Sequence, residues 1–436
     1  MLQPFHGTRG NFPCRYLGLQ LHTRPLRKIH IQPLIEKIGN RLAGWKGNLL
    51  NRAGRLTLVS SVLSSMPTYH LSVFPLAAWA RKRIDRIRRS FLWKGKAESN
   101  GGHCLVAWPL VCKPKALGGL GVLNLDKFGR ALRWLWNEWT RDDHPWKGFE
   151  APCNRVDRLL FSASTTVTIG DGKTAKFWHD SWLDGMAPRN IAPHLFDLIP
   201  RKNNSVAHEL SGQHWIKTLR SRITSSVQIE EFVSLWTRLW DFQLQPDSPD
   251  TISWNRTPDG IFSVKSAYRA QFIGSYSHLN ANLVWKARAE PKCKIFAWIL
   301  LQEKLLTANN LATRGWPHQS SCAFCNGTLE TGIHLCLHCP FARAVWRQIL
   351  AWEGVILPAQ SDLASATNIQ EWWEAATPPL PKNQKRAFNG IVIYTMWNIW
   401  KERNRRIFES VALPPVQVAL RIKEDVSQFR RALLPM

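Results

Sequence analysis

Acidic side chains are scarce in this chain. Its 31 Asp and Glu face 58 Lys and Arg, a formal balance of +27 with a pI near 10.2. So basic a chain belongs beside polyanions, which means nucleic acid or an anionic membrane surface. Long apolar runs are missing as well. The longest, such as Ile295–Leu301, fall far short of the roughly 20 residues that cross a bilayer, so no membrane partner is expected. The opening Met1-Leu2-Gln3-Pro4 has neither a basic segment nor an apolar stretch behind it. A nuclear or cytoplasmic location is therefore expected, not a secreted one. The 44% apolar and 20% charged fractions exclude wholesale disorder. Tyrosine is rare at 5 residues, whereas tryptophan reaches 23. Many tryptophans sit inside helical patterns, as in Leu132–Trp136 and Met396–Trp400, and read as packing residues, with base stacking left to a few exposed ones.

The positive charge is concentrated. Residues 1–150 hold 25 Lys or Arg and 8 Asp or Glu, or +17, which leaves +10 for the other 286. This third reads as helices. Pro33, Leu34, Ile35, Ile38 and Leu42 recur at helical spacing, with Pro33 in the first turn and Lys37 and Arg41 on other faces. A second helix is expected from an Asn51 cap through Leu56, Val59, Leu63 and Met66 to a stop at Pro67. A third begins near Ala77, where Ala80, Ile84, Ile87 and Phe91 form an apolar stripe. Its other faces carry Arg81, Lys82, Arg83, Arg86, Arg88 and Arg89 against a single acid, Asp85. Three consecutive basic helices predict a surface that tracks phosphates, with Lys37, Arg41 and these six cations as its contacts; a merely solvated face is the bland alternative. Gly118-Gly119-Leu120-Gly121 lacks the Gly-Lys-Ser/Thr ending of a phosphate loop and reads as a turn.

Further along, the pattern changes. Thr166–Ile169, Gly170-Asp171-Gly172 and Thr174–Trp178 read as a β-hairpin with a glycine-rich turn. A like unit recurs at Thr251–Trp254, Pro258-Asp259-Gly260 and Ile261–Val264, after which Ser263 is placed to cap a helix. Residues 185–250 are poorly periodic and read as a linker with one helix near Phe232–Trp240. Helices around Lys294–Glu303 and Leu305–Arg314 lead into a cysteine cluster. A helix at Ala344–Trp352, a polar Pro-rich spacer to about Gln384 and a long helical region, Ala387–Phe408, follow it. Lys401, Arg403, Arg405 and Arg406 near its end suit the negative end of a helix dipole.

Four of the nine cysteines fall in the segment from Cys322-Ala-Phe-Cys325 to His334-Leu-Cys336-Leu-His338-Cys339. In a reducing compartment such crowding points to metal before disulfides. The C-x2-C pair puts two thiolates on one tight turn. After an eight-residue loop, His334 and Cys339 supply a second half at H-x4-C spacing. Three thiolates and one imidazole, Cys322, Cys325, His334 and Cys339, close a tetrahedral set suited to a structural zinc ion. Cys336 and His338 also lie within reach; Cys339 is preferred because the four-residue gap lets the chain turn back onto the ion. Buried thiols without metal are the other reading. Cys14, Cys104, Cys112, Cys153 and Cys293 are scattered and read as core or bystander residues. The expected fold is mainly α with short β-hairpins (α+β), a basic helical N-terminal region joined to a small zinc-stapled domain.

Several of these segments together resemble plant LINE-type, non-long-terminal-repeat retrotransposon reverse transcriptases. Arg15–Gly18, Leu34–Ile38, Arg41–Trp45, Ala53–Leu56, Phe91–Trp93, Val106–Trp108, Pro114-Lys115 and Gly118–Gly121 resemble the region just after the polymerase palm. Ile169–Gly172 with Phe177–Trp182 fits the same family's middle region. Phe262–Tyr268 and the cysteine cluster resemble its zinc-binding domain, and Ile399–Arg406 resembles sequence downstream of it. The resemblance implies a thumb-like basic helical region over 1–95 and the zinc-binding domain over 262–350, with Cys322, Cys325, His334 and Cys339 as ligands. With the patterns above, the rest divides into a helical connector (96–160), a hairpin-containing middle region with linker (161–261), and a spacer with a C-terminal helical region (351–436).

The departure from that family matters more. Polymerase chemistry needs paired Asp side chains on a palm hairpin, of the Tyr-x-Asp-Asp type, to hold two divalent ions. In the family this motif precedes the stretch matched at Tyr16. The sole adjacent pair here, Asp142-Asp143, sits between Arg141 and His144-Pro145 and reads as a loop. The family's endonuclease module is not found either. Residues 351–436 lack the separated carboxylates on an alternating β pattern that a ribonuclease H needs. The expectation is a catalytically incomplete, transposable-element protein that is not an enzyme and binds RNA or DNA through its basic helices and zinc domain. One alternative is a zinc-stapled scaffold docking on another chain, such as a separate reverse-transcriptase palm. Another is a truncated gene model of an active reverse transcriptase.

Overall fold

The computed structural model describes residues 12, 14–16, 18–21, 26–42, 47, 49–98, 104–132, 136, 139, 153–219, 221–276, 279–358, 361–377 and 381–432. Asp142-Asp143 and Arg133–Leu135 lie outside them. The fold is mainly helical, with two two-stranded antiparallel sheets among the described residues. The chain forms two compact units. The first comprises Met1–Pro67, Ala77–Asn124 and Gly274–Met436, and the second Thr68–Leu76 and Leu125–Ile273.

In the first unit, apolar spacing sets the helices. Ala80, Ile84, Ile87 and Phe91 are all buried along the Ala78–Lys94 helix. It packs beside the Lys28–Asn40 helix, whose Ile31, Ile35 and Ile38 are buried. That second helix starts five residues before Pro33, so Pro33 lies inside it and not in its first turn. Proline there removes the bond to the Ile29 carbonyl. Ile29 is 74% exposed and Pro33 is exposed too, so the free acceptor is open to solvent. Asn51 caps the Arg52–Leu58 helix as expected, its Oδ1 accepting from the Ala53 and Gly54 N–H groups at 3.0 and 3.1 Å. A π-helical turn, Val59–Leu63, continues it.

Further along the same unit, the Pro291–Leu301 helix is buried on most sides and packs on the long Lys382–Phe408 helix. Gly390 permits a close approach there, because a Cβ would lie 2.2 Å from the Arg288 carbonyl oxygen. The supposed spacer holds a helix, Ile369–Ala376, anchored by buried Trp372 and Trp373. A final helix, Pro415–Ala432, buries Val418, Ala419, Ile422 and Val426 and packs on both the Pro340–Glu353 and Lys382–Phe408 helices.

The second unit corrects two expectations. Thr165–Thr168 does not pair with Thr174–Trp178. It pairs antiparallel with Thr251–Trp254, Thr165 opposite Trp254 and Thr168 opposite Thr251, and Ile261–Val264 forms no strand. The Gly170-Asp171-Gly172 turn instead wraps the Asp250 carboxylate. Oδ1 accepts from the Gly170 and Gly172 N–H groups at 2.8 and 2.9 Å, and Oδ2 from Thr174 and Ala175 at 3.0 and 2.9 Å. A Cβ at position 170 would lie 2.0 Å from the Ser248 carbonyl oxygen, which leaves room only for glycine. Nor is 185–250 a linker. Short helices at Pro188–Ile191, Pro193–Leu198, Val206–Leu210 and His214–Leu219, with a longer one at Ser226–Leu239, enclose an aromatic core of Phe177, Trp178, Trp182 and Trp215. The proline and serine residues that suggested a linker are helix starts. Pro188 and Pro193 open helices, and Ser205 and Ser225 cap them.

Candidate metal centre and basic surface

Cys322, Cys325, His334 and Cys339 come together, each offering one ligand atom within 4.8 Å of the others. Backbone bonds build the first half. The Cys322 N–H donates to the Thr328 carbonyl at 2.8 Å, and the Asn326 N–H donates to the Cys322 carbonyl at 2.9 Å. The Phe324 N–H points at the Cys322 sulfur at 3.4 Å. A π-helical turn, His334–His338, builds the second half, its longer reach bringing the Cys339 N–H onto the His334 carbonyl at 2.8 Å. Cys339 then caps the Pro340–Glu353 helix, where the Phe341 and Ala342 N–H groups and the helix dipole favour a thiolate.

The spacings test whether a metal fits. Cys322 Sγ lies 3.9 Å from Cys339 Sγ, and Cys325 Sγ lies 3.5 Å from His334 Nε2. Tetrahedral zinc, with bonds of about 2.3 Å to sulfur and 2.0 Å to nitrogen, sets two sulfurs about 3.8 Å apart and sulfur and nitrogen about 3.5 Å apart. The donor set therefore suits zinc. Contact with Cys339 pulls the Cys322 thiol below its ordinary pKa while pushing Cys339 up, and Cys322 likewise raises His334. Cys336 and His338 stand outside the set. Burial pushes the Cys336 thiol up to about 12, and His338 Nε2 lies 2.8 Å from the Ala366 carbonyl oxygen. Cys112 and Cys293 are buried, Cys104 is exposed, and Cys14 and Cys153 are half-buried; none joins the cluster.

Residues that brace the centre escaped sequence reasoning. Glu330, the one acid between Cys325 and His334, is 1% exposed. Its carboxylate accepts from Arg403 Nη2 at 2.7 Å, from Arg403 Nε at 3.1 Å and from the Ala308 N–H at 3.1 Å. Phe324 and Phe341 stack with centroids 4.4 Å apart, and the Arg406 guanidinium covers both rings at 4.8 and 4.5 Å. Fully buried Glu402 holds Arg406, Arg405 and the Leu413 N–H. These C-terminal cations therefore do more than complement a helix dipole. The opposed charges at i, i+3 and i, i+4 in Glu402–Arg406 were the available signal.

On the basic surface, Lys37, Arg41, Lys82, Arg83 and Arg86 are exposed, while Arg81 and Arg89 are half-buried. Arg83 pairs with Glu98. Arg88 is a correction, because it is fully buried. Its Nη1 donates to Asp85 at 2.7 Å, its Nη2 donates to Ser64 Oγ at 2.8 Å and to the Leu123 carbonyl at 2.7 Å, and its guanidinium lies over the Trp108 ring. Position 88 follows Ile84 by four and precedes Phe91 by three, so helical spacing already puts it on the apolar stripe.

A C-x2-C knuckle, a histidine on a π turn and a helix-capping cysteine define a Cys3His module of structural-zinc geometry. Residues 262–346 match the family described as zinc-binding in reverse transcriptase, and that segment contains all four clustered residues. The chain is also similar to an Arabidopsis thaliana protein whose name proposes that it is a ribonuclease H protein, with 27% identity over 353 residues. The alignment covers 73% of this chain and 55% of the relative, so the chain spans about half the relative's length. Both likenesses fit a retrotransposon-derived protein. Among the described residues, no helix is long and apolar enough to cross a membrane.

Proposed function

We propose that this chain is a nucleic-acid-binding module derived from a LINE-type, non-long-terminal-repeat retrotransposon reverse transcriptase of plant type. In this reading a structural zinc ion on Cys322, Cys325, His334 and Cys339 holds the zinc-binding domain, and the chain itself does no polymerase chemistry. The Cys3His cluster inside the segment matching reverse-transcriptase zinc-binding domains carries the reading. Exposed Lys37, Lys82, Arg83 and Arg86 on two packed helices, with Arg41 at the C-cap of the first, supply the phosphate-facing charge. Zinc's part is to fix the fold; the chain's own cations meet the strand.

The test is fluorescence anisotropy with a labelled single-stranded RNA and a DNA duplex of about 20 nucleotides. Affinity should fall steeply between about 50 and 200 mM salt, and the triple variant Lys82→Gln/Arg83→Gln/Arg86→Gln should flatten the single-strand slope by about 2. Affinity indifferent to salt and to the variant refutes the binding reading, and nucleotide incorporation by the purified chain refutes the non-enzymatic one. A second reading, docking on another protein chain, draws on exposed Ile229, Val233, Trp236 and Trp240 along one helical face. It would be favoured by a partner that survives nuclease treatment in a pull-down.

A further inference from the structure

The second unit holds a cavity of about 410 Å³ that the reading above does not use, within the size range of small-ligand sites. Ser162, Thr165, Ser181, Arg189, Asn190 and Asn255 supply its polar lining, and no carboxylate lines it. Arg189 dominates its charge. One guanidinium nitrogen, Nη1, lies 2.9 Å from His179 Nδ1, while Nε is buried with no hydrogen-bond partner. Among the described residues, Arg189 forms no ion pair with a carboxylate. Burial, and then Lys176, Arg158 and Lys202 together with Arg189 itself, hold the His179 imidazole down at about 4. It therefore accepts from Arg189 as a neutral ring and brings no negative charge to the cation. Asp180, the carboxylate that bears on Arg189, already accepts from the Lys176 N–H at 2.7 Å. Arg155 and Arg158 add to the field at Arg189.

A half-buried guanidinium with unmet donors, a neutral imidazole beside it and further cations around it form a seat for an anion. The planar fork of arginine matches phosphate oxygens two at a time. We propose that this cavity is a phosphate-binding site, taking the group either free or within a polynucleotide strand. The strand arm rests on the nucleic-acid reading above; the free-phosphate arm stands without it.

The experiment titrates the full chain with inorganic phosphate in low-salt chloride buffer by calorimetry. Saturable binding at one site is expected, weakened at least tenfold by Arg189→Gln. Arg158, whose side chain forms no hydrogen bond among the described residues, provides a second variant that spares the fold. Arg158→Gln should weaken phosphate several-fold with an unchanged melting curve. Anisotropy with the single-stranded RNA separates the sources. A salt slope flattened by about 0.7 in Arg189→Gln assigns the site to the strand, and an unchanged slope assigns it to free phosphate. Phosphate binding that never saturates, or that ignores both variants, overturns the site. If that happens while RNA still binds through Lys82, Arg83 and Arg86, only this inference falls; loss of RNA binding with phosphate retained sinks the other reading instead.

Discussion

Arg403 and Glu330 are 6% and 1% exposed at their side chains, and neither has water to fall back on. A buried pair recovers its desolvation cost only when the geometry is complete, and removing one partner strands the other charge. Arg403→Met should destabilise the first unit by about 3–5 kcal/mol, whereas adding Glu330→Leu should restore part of the loss, the Ala308 N–H being left without its acceptor. Urea unfolding followed by tryptophan fluorescence checks this, and equal losses in the single and double variants contradict it. His179 and Asp180 make a second case. The folded His179 titrates near 4, below its ordinary 6.5, through burial and the cations Arg189, Lys176, Arg158 and Lys202, so stability is lost as pH falls through that window. Burial lifts Asp180 from 3.8 to about 6, against the Lys176 N–H, Lys176 and Arg189 and with Asp250, so its contribution is regained as pH falls over the same range. The two oppose each other. His179→Gln keeps an acceptor for Arg189 and removes only the acid-labile half. On acidification from about pH 6.5 to 4.5 the variant should gain about 3–6 °C in melting temperature relative to wild type. Parallel melting profiles for the two proteins would count against the assignment.

Elements with one apolar stripe were legible in the sequence, and those defined by distant partners were not. Ala80, Ile84, Ile87 and Phe91 announce their helix because the period is local. Thr165–Thr168 announces a strand, but alternation says nothing about whether its neighbour lies at 174 or at 251. Asp250 is what decides here, since its carboxylate gathers four backbone N–H groups of the 170–175 segment immediately before the partner strand begins. Asp250→Asn turns one acceptor oxygen into a donor facing two donors. Hydrogen bonds to a charged group contribute about 1.5–3 kcal/mol each, so a loss of roughly 2–4 kcal/mol is expected. Asp171→Asn, at a half-buried side chain of the same turn whose carboxylate holds only Lys173, should cost clearly less. Denaturation of both variants, read by tryptophan fluorescence, decides the matter, and equal stability would place the organising contact elsewhere. The Ile369–Ala376 helix escaped for a different reason, because its proline-rich surroundings suggest a spacer. The expected C-terminal helical region extends past Phe408 into Pro415–Ala432, where Val418, Ile422 and Val426 recur every four residues.

Across the whole molecule, every clustered cysteine, the clustered histidine and their braces belong to the first unit. Spacing alone picked out Cys322, Cys325, His334 and Cys339 as the candidate set. It did not show the bracing, because 73 residues separate Glu330 from Arg403 and nothing local links them. Binding free energy at a structural zinc is folding free energy, about 10–16 kcal/mol in small zinc peptides. If zinc occupies this set, a chelator should move the first unit's calorimetric transition down by more than about 10 °C. The transition of the second unit, built on Phe177, Trp178, Trp182 and Trp215, should remain in place. Cys322→Ser and His334→Ala should reproduce the chelator's effect without it. Cys336→Ser, at a buried thiol outside the set, should cost only packing and leave zinc stoichiometry intact. Zinc still bound one-to-one in Cys322→Ser, with both transitions unmoved, would show that other side chains hold the ion.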